Sequence, residues 1–288
     1  MSTVTLRVKG APGFRVDGSA LSPSAVAVLA DAEIARLMLP AGNDTCAVGD
    51  LFDVSVDTTS DNDARVVIEG DASWLDRLGA QMDAGSLCME GAAGDYAGWR
   101  MAGGTLEITG DAGAFTGCEM RGGTLVVAGN SGDFIAGALP GGMEGMTGGT
   151  LVVAGDAGAR LGDRMRRGTV LIGGDTGDYA ASRLVAGTVG IAGRLGAHYG
   201  YGMRRGTLLL LQRPERIPPT FTMGGSGFDV FWSLFSRALA AECGTAASVS
   251  AAIAQRLAPF AALDAHKLPQ RYTGDLAVDG RGELLLVE

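Results

Sequence analysis

A 19-residue step constrains what this chain can fold into more than any other feature. Seven aligned starts, Met82, Met101, Met120, Met146, Met165, Leu184 and Met203, lie between Gln81 and Leu211. Five of the six steps are 19 residues; the step from Met120 to Met146 is 26, so one turn carries a seven-residue insert. Such regularity requires stacked copies of one backbone unit, each burying its apolar side against its neighbours.

The unit has a simple grammar. It opens with Met-x-Gly-Gly-Thr-Leu, as in Met101 to Leu106 and Met120 to Leu125. A short strand ending in Gly follows, then a Gly-Asp-Ala-Gly corner, then an outbound stretch to the next start. Leu87, Leu106, Leu125, Leu151, Val170, Val189 and Leu208 share one column. Met89, Ile108, Val127, Val153, Ile172, Ile191 and Leu210 share the column two residues on. A spacing of two places both on one strand face, and the methionine column adds a third inward line of adaptable side chains. The hydroxyl column Ser86, Thr105, Thr124, Thr150, Thr169, Thr188 and Thr207 admits a binding surface, but β-branched pairing explains it more simply.

Glycine makes up 47 of 288 residues. It has no period of three, which excludes collagen, and 47% hydrophobic residues exclude disorder. The pattern Gly-x-x-Gly-x-x-x-Gly, as at Gly110/Gly113/Gly117 and Gly155/Gly158/Gly162, marks corners where backbones approach closely. Asp111, Asn130, Asp156 and Asp175 follow the strand-ending glycine and are expected to hold local Asx-type turns.

Nineteen residues holding a strand and two glycine corners leave no room for the helices of a doubly wound α/β fold. The expected fold is mainly β, a right-handed β-helix (β-solenoid) of 19-residue rungs over residues 61–211. Residues 1–60 read as a small α/β segment, with strands at Thr3 to Val8 and Leu51 to Val56 and a helix opened by Ser22-Pro23. Ala64 to Gly70 reads as a degenerate first rung. Residues 212–288 read as two helices, Phe228 to Cys243 and Val249 to Leu257, capping one end or lying along the side. A hairpin would follow, its strands Gly274 to Val278 and Gly282 to Val287 around Asp279-Gly280.

Function classes fall away next. A net charge of −9 without a basic run argues against nucleic acid. No apolar run reaches a membrane span, and Met1 to Arg15 lacks the pattern of a signal peptide. Cys46, Cys88, Cys118 and Cys243 form no C-x-x-C pair and read as reduced thiols, so a cytoplasmic protein is expected. His198 and His266 are the only histidines and lack ligand-spaced partners, so no metal site and no catalytic residue is expected. Gly224 to Asp229 resembles one calcium-binding nonapeptide unit, but a calcium solenoid needs tandem copies. Cofactor-binding residues stay unassigned.

Two features suit contact with a partner. The insert, Gly137 to Gly145, carries apolar Leu139 and Met143, and insertions in solenoids emerge as loops on one face. Arg166-Arg167 and Arg204-Arg205, near Arg164 and the methionine column, form a basic stripe. It suits an acidic partner or an anionic cofactor tail, although exposed arginine is common on any solvated face.

The repeat resembles the β-helical domain shared by the C-terminal domain of the glutamate synthase large subunit and the C subunit of formylmethanofuran dehydrogenase. The length favours the second, and so does the tail Arg271-Tyr272-Thr273-Gly274-Asp275-Leu276, with Pro219-Thr220-Phe221-Thr222 before it. The resemblance implies a non-catalytic structural subunit of an enzyme complex in one-carbon metabolism. In methanogens such complexes are molybdenum or tungsten dehydrogenases. In methylotrophic bacteria the related complex is a formyltransferase/hydrolase moving a formyl group from tetrahydromethanopterin to a methanofuran-like carrier and releasing formate. A composition rich in Ala, Gly, Arg and Asp and poor in Lys favours the bacterial case. The resemblance further implies partners: an amidohydrolase-like A subunit that holds the metal, a B subunit and a formyltransferase D subunit. It implies no cofactor bound directly to this chain. Contact candidates are Leu139, Met143, Arg166, Arg167, Arg204 and Arg205.

Two other readings stay open. A freestanding β-helical enzyme or sugar-binding protein would need a groove lined by carboxylates and aromatics. The scarcity of Trp and Tyr on successive rungs speaks against it. A glutamate-synthase-like coupling domain would need glutaminase partners, which the length and the tail do not support.

Overall fold

The structure, a computed structural model, describes residues 2–58 and 63–287. The boundary expected between residues 60 and 61 lies outside the described residues. The chain opens with β1 (Ser2–Val8), β2 (Val16–Asp17), α1 (Pro23–Val26) and α2 (Asp31–Ala35). The hairpin β3 (Met38–Ala41) and β4 (Asp44–Ala47) follows, then α3 (Val48–Leu51) and β5 (Phe52–Thr58). Next come β6 (Arg65–Glu69) and the short β7 (Leu75–Asp76). The repeat supplies β8 (Ser86–Glu90), β9 (Thr105–Ile108), β10 (Thr124–Val127), β11 (Thr150–Val153), β12 (Thr169–Ile172), β13 (Thr188–Ile191) and β14 (Thr207–Leu210). β15 (Thr222–Met223), α4 (Asp229–Ala247), α5 (Ala251–Ala261), β16 (Gln270–Gly274) and β17 (Gly282–Leu286) complete it.

These strands build a β-solenoid. β6 and β8 to β14 pair in parallel and in register, from β9 onward with Thr on Thr and Leu on Leu or Val, so each sequence column becomes a physical ladder. A second, narrower ladder of bridges runs through Ala112, Ser131, Ala157, Thr176 and Leu195. The Leu/Val, Ile/Val and Met columns point inward and merge into one continuous core. Ala64 to Gly70 is a true first rung, and β1 lies parallel to β6 with β5 antiparallel at the edge.

Methionine and glycine columns turn out to be one device. The last glycine of Met-x-Gly-Gly-Thr has positive φ at Gly85, Gly104, Gly123, Gly149, Gly168, Gly187 and Gly206. At Gly104, Gly123, Gly149, Gly168 and Gly187 the space a Cβ would need is filled by the methionine methyl of the preceding rung, and at Gly206 by a Leu184 methyl. Met82 Cε lies 2.8 Å from that point at Gly104, as does Met101 Cε at Gly123. The flexible thioether adapts readily to such a gap.

The Asp/Asn column departs from expectation. Its side chains do not close their own turns. Asp111 Oδ1 accepts from Asn130 N at 2.7 Å, Asn130 Oδ1 from Asp156 N at 2.8 Å, Asp156 Oδ1 from Asp175 N at 2.7 Å and Asp175 Oδ1 from Arg194 N at 2.7 Å. Each carboxylate or amide thus satisfies a corner N–H of the next rung. A neighbouring corner does the same through Asp76, Asp95, Asp133 and Asp178. Asp156→Ala is expected to cost about 1 kcal/mol. Asp156→Asn should cost almost nothing, because Asn130 already serves this column, and urea unfolding of both variants checks the ladder.

The C-terminal region settles one alternative and needs one correction. Helices α4 and α5 lie along the side of the solenoid, not over its end. They cover an outward column of Val126, Val152, Leu171 and Leu209 with Trp232, Leu239, Ile253, Leu257 and Phe260. Gly190 in that column makes room for the Phe260 ring, whose Cε1 lies 2.9 Å from where a Cβ would sit. The end is closed instead by β17, parallel on β14, with β16 antiparallel beyond it. The first hairpin strand is Gln270–Gly274; Leu276–Val278, expected as strand, is a 3-10 turn. Asp275 explains the shift: its Oδ1 accepts from Ala277 N at 3.0 Å and bends the chain.

Candidate functional site

The corner that follows the methionine column carries the most distinctive surface. Backbone pairing places Arg121, Thr147, Arg166, Val185 and Arg204 on successive steps, since each N–H donates to the rung before, and the tail sets Arg281 over Arg205 in the neighbouring column. Around them lies an open groove of about 630 Å³, lined by Met143, Arg164, Arg166, Arg183, Val185, Tyr201, Arg204, Asp275, Ala277 and Val278. Two smaller hollows extend it. One of about 430 Å³ has Arg204, Arg205, Asp279 and Arg281; the other, about 340 Å³, has Arg100, Glu119, Arg121, Met143, Glu144 and Thr147.

The groove walls come from distant parts of the sequence. The insert forms one wall. Met143 is 71% exposed, and Arg164 Nη1 holds the loop by donating to the Gly142 carbonyl at 2.7 Å. The tail forms the other. Asp275 N donates to Met203 O at 3.0 Å, and Arg281 N to Arg204 O at 2.7 Å. Asp275 Oδ2 accepts from Gly202 N at 2.9 Å. Burial pushes this carboxyl up, but hydrogen bonds from Gly202, Thr220 and Ala277 outweigh it, and it stays below the usual carboxylate range.

The arginines divide into two sets. Arg100 pairs with Glu119 at 2.6 Å, Arg166 with Glu144 at 3.0 Å and Arg183 with buried Asp163 at 2.5 Å. Among the described residues, Arg121, Arg204, Arg205 and Arg281 have no carboxylate partner. The surface is therefore net positive on a chain whose total charge is −9. Planar guanidinium groups with apolar flanks bind and orient carboxylates or phosphates; they do not transfer protons near neutral pH.

Of the contact candidates, Met143, Arg166 and Arg204 line one groove, and Arg205 joins its extension. Arg167 is exposed outside the lining. Leu139 is half-buried beneath its own loop, where its carbonyl accepts from Gly142 N at 2.7 Å. Sequence reasoning missed Arg183, which stands 19 residues after Arg164 and was legible by period, and Arg281, which only tail pairing brings in.

It also missed an aromatic ladder. Arg77, Tyr96, Phe115, Phe134, Arg160, Tyr179 and His198 occupy one left-handed position on successive rungs. Tyr96 stacks on Phe115 at 4.8 Å and Phe115 on Phe134 at 5.0 Å. Arg160 bridges to Tyr179 at 4.9 Å, and Tyr179 stacks on His198 at 4.9 Å. Aromatics recur on successive rungs through Phe115 and Phe134, while Trp and Tyr stay scarce, and the ring faces are spent on one another. Exposed His198 ends this stack, and exposed His266 lies in the connection after α5. Among the described residues, no group of three His, Cys, Asp or Glu side chains is placed to hold a metal ion. Burial pushes the Cys118 thiol up to about 12 and the Cys243 thiol to about 11.

The GXGXG motif family matches residues 64–222, just over half of the chain. The sequence is similar to the C subunit of the formyltransferase/hydrolase complex Fhc of Methylorubrum extorquens, 39% identical over 90 residues, which are 31% of this chain and 32% of that protein. It is also similar to the C subunit of the tungsten-containing formylmethanofuran dehydrogenase 2 of Methanothermobacter marburgensis, 30% identical over 99 residues, 34% of this chain and 37% of that protein. These aligned stretches span about a third of each relative's length. Structural likeness reaches further. A chain in the crystal structure of the formyltransferase/hydrolase complex FhcABCD of Methylorubrum extorquens, in complex with methylofuran, superposes with a TM-score of 0.82 at 39% identity. That match covers 99% of both chains. On this near-complete match, the chain belongs to the C-subunit family of the formyltransferase/hydrolase and formylmethanofuran dehydrogenase complexes.

Proposed function

We propose that this chain is the non-catalytic structural subunit of a formyltransferase/hydrolase complex. That complex transfers a formyl group from formyl-tetrahydromethanopterin to a methanofuran-like carrier and releases formate. The observation that carries this reading is the match over 99% of both chains to a component of FhcABCD. In this reading the partners are an amidohydrolase-like A subunit bearing the metal, a B subunit and a formyltransferase D subunit, in the cytoplasm. The chain itself holds no cofactor. The fold would be a closed right-handed β-helix over residues 61–211, flanked by an α/β segment (1–60) and a C-terminal part (212–288). The physical support is the continuous ladder of in-register rungs and a groove rich in anion-orienting side chains. Among the described residues, no helix is long and apolar enough to cross a membrane.

A second reading, the C subunit of a tungsten formylmethanofuran dehydrogenase, draws on the 30% identity to the Methanothermobacter proteins. Native purification of the tagged chain decides between them. Mass spectrometry is expected to find an amidohydrolase-like protein and a formyltransferase, with formyl hydrolysis by the complex and none by the isolated chain. Tungsten or molybdenum and iron–sulfur proteins in the eluate would favour the dehydrogenase. A lone monomer would overturn both.

A further inference from the structure

We infer that the arginine-lined corner is a docking groove for an extended, acidic polypeptide segment of another protein in the same assembly. The inference rests on reading the chain as one member of a complex, and adds which surface is used and what chemistry it receives.

The arginine spacing is the first argument. Along the five-step column, arginine stands at Arg121, Arg166 and Arg204, with Thr147 and Val185 between them, and Arg281 lies over Arg205 in the neighbouring column. Rungs lie about 4.8 Å apart. Arg121 to Arg166 and Arg166 to Arg204 are therefore each about 10 Å along the axis, and Arg281 is one step further. A polyproline-II-like chain has three residues per turn and advances about 3.1 Å per residue. Laid along the axis, it would thus present every third side chain to a guanidinium.

The walls are the second argument. Met143 overhangs one side, and Ala277 and Val278 rise on the other, with Val185 and Tyr201 between the arginines. These apolar surfaces suit the backbone and methylene groups of a peptide. A small free oxyanion would have no use for them. Charge is the third argument. Arg121, Arg204, Arg205 and Arg281 lack carboxylate partners among the described residues, while Glu144 on Arg166 shows how such a site takes a carboxylate. A segment with carboxylates at every third position would supply the missing partners through charge-assisted, forked hydrogen bonds.

The test uses the full chain and a fluorescent peptide with Glu at every third position and Ala between. Its all-Gln counterpart, inorganic phosphate and a single-stranded oligonucleotide serve as comparisons. The acidic peptide is expected to bind, to lose affinity with added salt, and to outbind the Gln peptide at least about tenfold. Arg166→Gln and Arg204→Gln should each weaken it about tenfold and together about a hundredfold, with unchanged circular dichroism. Arg36→Gln, which removes one charge elsewhere, should leave binding intact. Equal binding of the two peptides, complete displacement by millimolar phosphate, or tighter binding of the oligonucleotide would each overturn the inference. Loss of partner copurification with peptide binding intact would sink only the structural-subunit reading; the reverse would sink only this one.

Discussion

Gly123→Ala is expected to destabilise the protein by about 4 kcal/mol, while Gly141→Ala costs only about 1 kcal/mol. Both glycines have φ of +82°, so the left-handed strain imposed on alanine is the same. Their surroundings differ. A Cβ at Gly123 would lie 2.8 Å from the Gly103 carbonyl carbon, 2.8 Å from Gly104 O and 2.8 Å from Met101 Cε, whereas at Gly141 nothing lies within 4 Å. Backbone cannot give way without breaking the ladder to the next rung. For a chain of this size 4 kcal/mol corresponds to roughly 10 °C in thermal midpoint, which calorimetry resolves easily. Equal losses at the two sites would mean that strain alone governs the column, and that the methionine–glycine packing contributes nothing.

Trp232→Ala is expected to be nearly as costly, about 4 kcal/mol, but in a different place. Trp232 is fully buried in α4 and donates Nε1 to the Asp264 carbonyl at 2.9 Å. Truncation opens a cavity at the centre of the helical layer and strands that carbonyl. The layer's core is shared only with the outward faces of rungs β10 to β14 and β17. Amide exchange should therefore accelerate in α4, α5 and the Gln270–Gly274 strand, while β8 and β9 keep their protection. Uniform acceleration along all rungs would show that helices and solenoid melt as a single unit.

The two variants also mark how far local pattern reaches. The methionine–glycine device repeats every 19 residues, so its columns, its inward faces and its β-solenoid outcome are readable from the residues alone. The outward column is readable too, in hindsight: Glu107 sits on an uncovered rung, whereas Val126, Val152, Leu171 and Leu209 are apolar because helices lie on them. Which face those helices choose depends on volume, such as the gap Gly190 leaves for Phe260. No periodicity encodes that.

The candidate site divides the same way. Arg164, Arg166, Arg183 and Arg204 follow the repeat, so their stacking is a consequence of register. The aromatic ladder follows it as well. It escaped notice because Tyr, Phe, Arg and His alternate there, and stacking accepts any flat side chain. By itself, then, the sequence determined the rung, its core columns and one wall's worth of arginines, because a period is a local property that survives translation along the axis. Only the tertiary structure decided that the Asp column reaches to the next rung, and that the tail closes the last one. It also set Arg281 beside Arg204, because those contacts join residues whose separation in the chain carries no period.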